Sequence, residues 1–377
     1  MKMRNFGKLG LQVSAFGLGC MRFPMIEKDG ATIVNDDLAI PMIHAAIDGG
    51  VNYVDTAYGY LSGLSEITVG KALKGGYREK VYLATKLPCW KVDKPEDMQA
   101  LFEEQLQKLQ TDHLDFYLVH ALDGERWEKM KAFGVREFLS KLKAEGRIKY
   151  ACFSFHDEYD AFMKIIDEYD WDMVQLQYNF MDINNQATEK GVRYAGKKGI
   201  PVVVMEGLLG GKLASAPAFI QALYDSFPVK RSPVEWAFRW LCDQPEVSTV
   251  LSGVSSMEQT LDNLRIFDTL ETGVMTQEEK DLIAKVRAAY QSRTKVSCTG
   301  CEYCMPCPLN VNIPRTFAIW NNAALYGGLE KGNAEYKRLV GEGNDPEQCI
   351  ECGKCMSNCP QNIQIPENLK LATADLK

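Results

Sequence analysis

The sequence predicts a (β/α)8 TIM barrel, an α/β fold, followed by a small helical domain built around cysteines. Three observations predict it. From about residue 50 to 270, short β-branched or aromatic runs alternate with amphipathic stretches of helix length, the rhythm of βα units on a parallel sheet. A chain of 377 residues leaves room for one barrel of roughly 250 to 300 residues and a smaller second domain. Eight of the 12 cysteines then crowd the C-terminal end in two runs, Cys298, Cys301, Cys304, Cys307 and Cys349, Cys352, Cys355, Cys359. A doubly wound sheet is the main rival, and it requires a glycine-rich turn after its first strand. Gly17-Leu18-Gly19-Cys20 lacks the third glycine and no helix pattern starts there, so the barrel is preferred.

Strands are expected at residues 15–18, 51–56, 81–86, 114–120, 148–154, 173–178, 202–206 and 247–252. Between them, Met98, Leu101, Phe102, Leu106 and Leu109 share one face of a helix over 95–109 at i, i+3, i+4 spacing. Val135, Phe138, Leu139 and Leu142 do the same ahead of Gly146, which suits the left-handed position just past a helix end. A last amphipathic helix over 277–292 precedes a polar stretch, Arg293 to Ser297, and the domain boundary is placed there: 1–292 barrel, 293–377 cysteine-rich domain. Within the latter, 313–325 and 333–339 read as short helices, with Pro314 at the start of the first.

Composition narrows the class. A hydrophobic share of 46% and a charged share of 25% are those of an ordinary globular protein, and a net charge of −7 argues against nucleic acid as a partner. The first ten residues lack the apolar core of a signal peptide, and no apolar stretch is long enough to span a bilayer, so no membrane partner and a cytoplasmic location are expected. The scattered Cys20, Cys89, Cys152 and Cys242 show no disulfide logic and are expected to pack in the core.

The two cysteine runs carry chemistry. A C-x2-C-x2-C run closed by Cys-Pro is the ligand spacing of bacterial-type 4Fe–4S ferredoxins, and Cys307 and Cys359 each precede a proline. Zinc needs separated cysteine pairs and disulfides need a secreted chain, so two 4Fe–4S clusters in a ferredoxin-like domain are expected. In two-cluster ferredoxins the cysteine before the proline serves the other cluster. Cys298, Cys301 and Cys304 are therefore paired with Cys359, and Cys349, Cys352 and Cys355 with Cys307. The first run is one residue shorter before its last cysteine, which leaves the fourth ligands open. With few apolar residues around these cysteines, the clusters are expected to brace the tail.

Active sites of such barrels form at the carboxyl ends of the strands. There the second strand ends in Asp55, with Tyr60 five residues on, the third in Lys86 and the fourth in His120. Singly, each has a structural reading: helix cap, solvated strand end, core histidine. Together they converge on one rim.

Through Asp55-Thr56-Ala57 with Tyr60, Ala84-Thr85-Lys86 and Asp115-Phe116-Tyr117-Leu118-Val119-His120, the chain resembles the aldo-keto reductase family over nearly all of residues 1–290. The resemblance implies a catalytic tetrad in which Tyr60 is the general acid and Asp55, Lys86 and His120 support it. The chemistry agrees, since an alkoxide-like oxygen formed by hydride transfer needs a proton and positive potential. The Lys86 ammonium is expected to lower the tyrosine pKa.

The resemblance also implies a nicotinamide nucleotide, NADP(H) or NAD(H). Ser154 and Gln175 match residues that hold the carboxamide, Met205 stands where an aromatic ring often stacks, and Gly207, Leu208 and Gly210 belong to a turn near the diphosphate. At the adenosine end lie Gly253, Ser255, Gln259 and Asn263. The stretch 252–259 has no basic side chain to meet a 2′-phosphate, and Arg265 is read as a solvated helix residue, so NAD and NADP both stay open. Trp90, Tyr58, Phe155 and Phe180 are candidates to line a pocket, with packing the expected role for at least half of them.

The implied activity is interconversion of a small-molecule carbonyl and alcohol. An appended ferredoxin-like segment marks a subgroup of the family, matched by Cys301-Glu302-Tyr303-Cys304-Met305-Pro306-Cys307-Pro308. Cubanes move single electrons whereas nicotinamide moves a hydride, and no flavin motif bridges them. Three roles for the clusters stay open: a structural brace, docking of an electron-carrier protein, or one-electron chemistry at the barrel. The alternative class is an electron-transfer or redox-sensing protein whose barrel only binds nucleotide.

Overall fold

The computed structural model describes residues 1–326 and 328–377. Eight parallel strands close into a barrel: β1 (Phe16–Gly19), β2 (Tyr53–Asp55), β3 (Tyr82–Leu87), β4 (Leu114–Leu122), β5 (Ile148–Phe155), β6 (Met173–Gln177), β7 (Val202–Met205) and β8 (Val247–Gly253). Each pairs with its neighbour in sequence, and β8 closes onto β1 with Val250 opposite Phe16 and Gly253 opposite Gly19. All eight expected strands are present.

Alternation along the strands fills the cylinder and positions the site. Tyr53, Ala84, Phe116, Leu118, Cys152, Met173 and Val203 point inward as one buried cluster. An antiparallel hairpin, Met3–Asn5 with Gln12–Ser14, adds Phe6 and Val13 to that cluster, and Phe6 meets Phe116 edge-on at 5.4 Å. Phe116→Ala would hollow this layer at about 3–5 kcal/mol. Two residues further along the same faces lie Asp55, Lys86, His120, Ser154, Gln175 and Met205, so the step that packs the core also carries polar groups to the carboxyl rim. The cysteines Cys20, Cys89, Cys152 and Cys242 are all buried.

The helix Pro95–Leu109 forms with proline in its first turn, and Asp97 accepts from the backbone N–H of Asp93 and Lys94 at 2.9 and 3.0 Å, which satisfies two donors at its start. Met98, Leu101, Phe102, Leu106 and Leu109 are its buried face. Helix Val135–Ala144 ends ahead of Gly146, which sits at φ 68°.

The chain divides into two compact units: Met1–Gly207 with Phe238–Met275, which holds every barrel strand, and Leu208–Ala237 with Thr276–Lys377. The boundary placed at 292/293 from sequence falls inside the second unit. Its helix Gln277–Gln291 packs on Ala218–Asp225, Arg231 pairs with Glu279 at 2.9 Å, and Lys212 donates to the carbonyl of Cys298. Tyr326 Oη donates to the carbonyl of Ser215 at 2.9 Å, so the connection after β7 folds with the cysteine-rich end of the chain.

That end also corrects the expectation of a tail short of apolar residues. Helices Ile313–Tyr326, Leu329–Gly341 and Ile365–Leu376 enclose a core with Phe317, Trp320, Tyr336, Leu339, Leu369 and Leu376, and six of the eight cysteines of the two runs pack at its edge. Periodicity over three separated helices supplies this core. Buried Asn321 accepts from the N–H of Lys295 and Val296 and donates to Val296 O at 2.7 Å, fixing the approach to Cys298.

Candidate active site and cysteine sites

β2 delivers Asp55 to the rim, and the chain then turns through Tyr60–Gly63, where Leu61 and Ser62 sit at φ 53° and 57°. Left-handed leucine is unfavourable and persists only where its surroundings hold it. The turn brings Tyr60 to Lys86. Lys86 Nζ donates to Asp55 Oδ1 at 2.6 Å, to Thr56 O at 2.8 Å and to Tyr60 Oη at 3.1 Å, so three acceptors match the three protons of a fully buried ammonium. The other Asp55 oxygen accepts from Gln175 Nε2 at 2.9 Å.

His120 is aimed by a bulge. Ala121 adopts φ 52° where the β4–β5 register shifts between Val119 and Leu122. Its N–H donates to Ser154 Oγ at 2.7 Å and its carbonyl accepts from Arg126 Nη1 at 2.8 Å. The imidazole lies edge-on to Tyr60 at 6.1 Å and 4.9 Å from the ring of Trp90. His120 Nδ1 is buried with no hydrogen-bond partner among the described residues.

The electrostatics of Tyr60 run against the expectation from sequence. Burial comes first, then the charges of Asp55 and Glu206, and together they raise the phenol well above its ordinary value. Lys86 meets the phenol as a hydrogen-bond donor. Burial, Lys86 and His156 lower His120, which is neutral at pH 7. Glu206, at φ 59° directly after β7, went unnoticed in the sequence, where only its place at a strand end signals it.

The other candidate binding residues divide between the units. In the first, Ser154 and Gln175 are engaged as above, Met205 ends β7, and Gly207 follows it. Gln259 Oε1 accepts from Ser255 N at 2.9 Å, Ser256 caps helix Met257–Thr269, and Asn263 Nδ2 donates to Ser252 Oγ at 2.9 Å, so hydrogen bonds tie the end of β8 to the first turns of the helix that follows it. Arg265 pairs with Asp262 at 2.8 Å. Arg22, overlooked in the sequence, lays its stem against Gly253, with Cγ 2.9 Å from where a Cβ would stand. Leu208 and Gly210 belong to the second unit, where Gly210 has φ 65° and a Cβ would fall 2.2 Å from Thr299 O. Of the four pocket aromatics, Phe155 and Phe180 are buried in packing, Tyr58 Oη donates to Glu104 at 3.1 Å, and Trp90 is 46% exposed beside His120.

The cysteines assemble as two sets. Cys298, Cys301, Cys304 and Cys359 line one cavity; Cys307, Cys349, Cys352 and Cys355 line a second of about 210 Å³, and Cys304 lines that one too. The backbone repeats between runs: Gly300 and Glu302 lie at φ 72° and 65°, and Glu351 and Gly353 at φ 57° and 76° in the matching positions. Asn310 and Asn362, three residues past Cys307 and Cys359, both adopt the left-handed region too, at 58° and 51°. Such turns direct successive N–H groups into a concavity that suits an anionic centre. Burial and the neighbouring Cys301, Cys298 and Cys359 push the Cys304 thiol up to about 12, so thiolates gathered here need a cationic centre to hold them.

A barrel with this rim and an appended pair of cysteine sets defines a redox enzyme class, and comparison with known proteins agrees. The aldo/keto reductase family model matches residues 15–223, and a 4Fe–4S dicluster domain model matches 297–363. The "Uncharacterized oxidoreductase YrpG" of Bacillus subtilis (strain 168) is 26% identical over 310 residues, 70% of this chain and 90% of that protein. "Probable aldo-keto reductase 1" of Glycine max is 32% identical over 163 residues, 39% of this chain and only 42% of the relative. The holo form of aldo-keto reductase AKR11C1 from Bacillus halodurans superposes with a TM-score of 0.64 at 26% identity, covering 76% of this chain and 96% of that one. An aldo-keto reductase from Klebsiella pneumoniae, in complex with NADPH, shares the fold with a TM-score of 0.59 at 24% identity over 76% and 95% of the two chains. This chain belongs to the aldo/keto reductase family and is an NAD(P)-dependent oxidoreductase carrying a 4Fe–4S domain. Among the described residues no helix is long and apolar enough to cross a membrane.

Proposed function

We propose that the barrel interconverts a small-molecule carbonyl and its alcohol, with Tyr60 as the general acid and base. The observation that carries this reading is the contact of Lys86 Nζ with both Asp55 and Tyr60 Oη at the barrel rim. A reduced nicotinamide held at this rim would supply the hydride for the carbonyl carbon. As the C–O π electrons shift to oxygen, Tyr60 Oη gives up its proton to that oxygen, and Lys86 donates to the phenolate left behind. His120, neutral, orients the carbonyl oxygen by hydrogen bonding. Ser154, Gln175, Met205, Gly207, Leu208, Gly210, Gly253, Ser255, Gln259 and Asn263 are the residues proposed to hold the nucleotide. Arg22 beside Gly253 supplies a cation where the β8 turn has none, which favours NADP over NAD.

In the second unit, Cys298, Cys301, Cys304 and Cys359 would hold one 4Fe–4S cluster and Cys307, Cys349, Cys352 and Cys355 another, the mutual exchange of fourth ligands tying the two runs together. Their main role in this reading is to fix the loops at the edge of the helical core. A second reading, electron exchange with a carrier protein, is favoured by Cys352, which is exposed, and by Ile350, 69% exposed beside it. The test is anaerobic purification with iron and sulfide analysis, then NADPH and NADH oxidation with a panel of aldehydes and ketones. Alcohol formed in step with nucleotide oxidised supports the reductase. A panel that gives no turnover, alongside nucleotide binding and reducible clusters, favours the carrier reading instead.

A further inference from the structure

Between Cys298 and Gly300 stands Thr299, 4% exposed, and its Oγ1 is buried with no hydrogen-bond partner among the described residues. A hydroxyl so placed has given up water and received nothing in return, which is costly unless a partner arrives. Thr299 is also one of the residues that line the cavity of Cys298, Cys301, Cys304 and Cys359. The matching place in the second run is Ile350, 69% exposed, whose side chain has no polar atom. The two cysteine sets therefore repeat in their left-handed turns and differ in this hydroxyl.

The backbone at Thr299 is held from several sides within the second unit. Lys212 donates to the carbonyl of Cys298, and Gly210 comes so close that a Cβ there would stand 2.2 Å from Thr299 O. Just upstream, Asn321 Oδ1 accepts from the N–H of Lys295 at 3.0 Å and of Val296 at 3.1 Å. What remains is rotation of the side chain and its hydroxyl toward an acceptor.

We infer that Thr299 Oγ1 donates to a sulfur of the 4Fe–4S cluster held by Cys298, Cys301, Cys304 and Cys359, and so raises the reduction potential of that cluster and not of its neighbour. The inference rests on the two-cluster reading and is independent of the carbonyl chemistry. Reduction adds one electron to the cluster, no bond is made or broken, and the proton stays on Oγ1. Because part of the added charge falls on sulfur, a donor there is stronger in the reduced state and favours it. Hydrogen bonds of this kind are among the means by which a protein sets such potentials. The two centres are then tuned unequally, which a brace for the loops does not require. Water at the exposed Cys352 acts on the other centre, so the shift in a variant, and not the order of the two potentials in wild type, reads the role of Thr299.

The test is an anaerobic dithionite titration of the full-length holoprotein followed by EPR, with iron and sulfide counted in wild type, Thr299→Val and Thr299→Ser. Valine keeps the shape and removes the donor, whereas serine keeps the donor. In Thr299→Val one of the two midpoints is expected to fall by roughly tenfold in the reduction equilibrium, which is about 59 mV for one electron, while the other midpoint and the iron content stay as in wild type. Thr299→Ser should hold the wild-type midpoints. Thr299→Ala, which removes the donor and adds no bulk, gives the same reading where valine does not load. Unchanged midpoints in the loaded variant overturn the inference and leave the hydroxyl to an internal water. Equal falls in both midpoints, or a fall repeated in Thr299→Ser, overturn it as an effect of packing. A wild-type chain that holds no iron and sulfide overturns the two-cluster reading with it.

Discussion

Lys86 has all three of its protons committed, to Asp55, Thr56 and Tyr60, so its removal strands a carboxylate inside the barrel. Lys86→Met is expected to cost about 3–5 kcal/mol in chemical denaturation, beyond what loss of activity alone implies. Because burial, Asp55 and Glu206 hold the Tyr60 phenol above its usual value, kcat/KM for reduction should show no Tyr60-linked fall below about pH 10. The histidines set the acid limit. His156 falls from 6.5 to about 4 through burial, so the unfolded chain binds its proton first as pH drops. Stability from this group is complete above pH 6.5 and is lost toward pH 4, by at most about 3 kcal/mol, measurable as a falling denaturation midpoint. At this scale Asp55, Tyr60, Lys86 and His120 were legible because strand ends with chemical side chains stand out in a βα rhythm. The raised phenol was not, since it depends on burial first and then on Asp55 and Glu206 arriving from separate segments.

Strand and helix positions follow from local alternation, and every barrel strand and the helix Pro95–Leu109 could be read before any coordinates. The bulge at Ala121 could not, because Ser154 on β5 and Arg126 in the next helix hold it open. Ser154→Ala should therefore do more than weaken nucleotide binding: with Ala121 N–H unsatisfied, His120 loses its aim and kcat drops by roughly tenfold. In the cysteine runs, spacing suggested two sets with their fourth members open, and the matched left-handed turns lie beyond what spacing shows. Gly353→Val forces a branched side chain into φ 76°, so iron and sulfide per chain should fall by about half while the set around Cys298 stays loaded.

The second compact unit gathers the connection after β7, the last barrel helix and the cysteine-rich end into one body. A boundary drawn at residue 292 follows the motifs, yet the contacts of Lys212 with Cys298 and of Tyr326 with Ser215 link segments about a hundred residues apart, which no local pattern reveals. A chain ending at Ser292 loses the partners of Ser215 and Lys212 and is accordingly expected to melt at lower temperature than the full chain. An unchanged melting temperature would mean the connection is stable without the tail. For the molecule as a whole the central claim is proton transfer by one phenol. In Tyr60→Phe, nucleotide affinity should stay unchanged while carbonyl reduction, followed as alcohol formed per nucleotide oxidised, drops by about a hundredfold or more. Turnover at the wild-type rate in that variant would contradict the account.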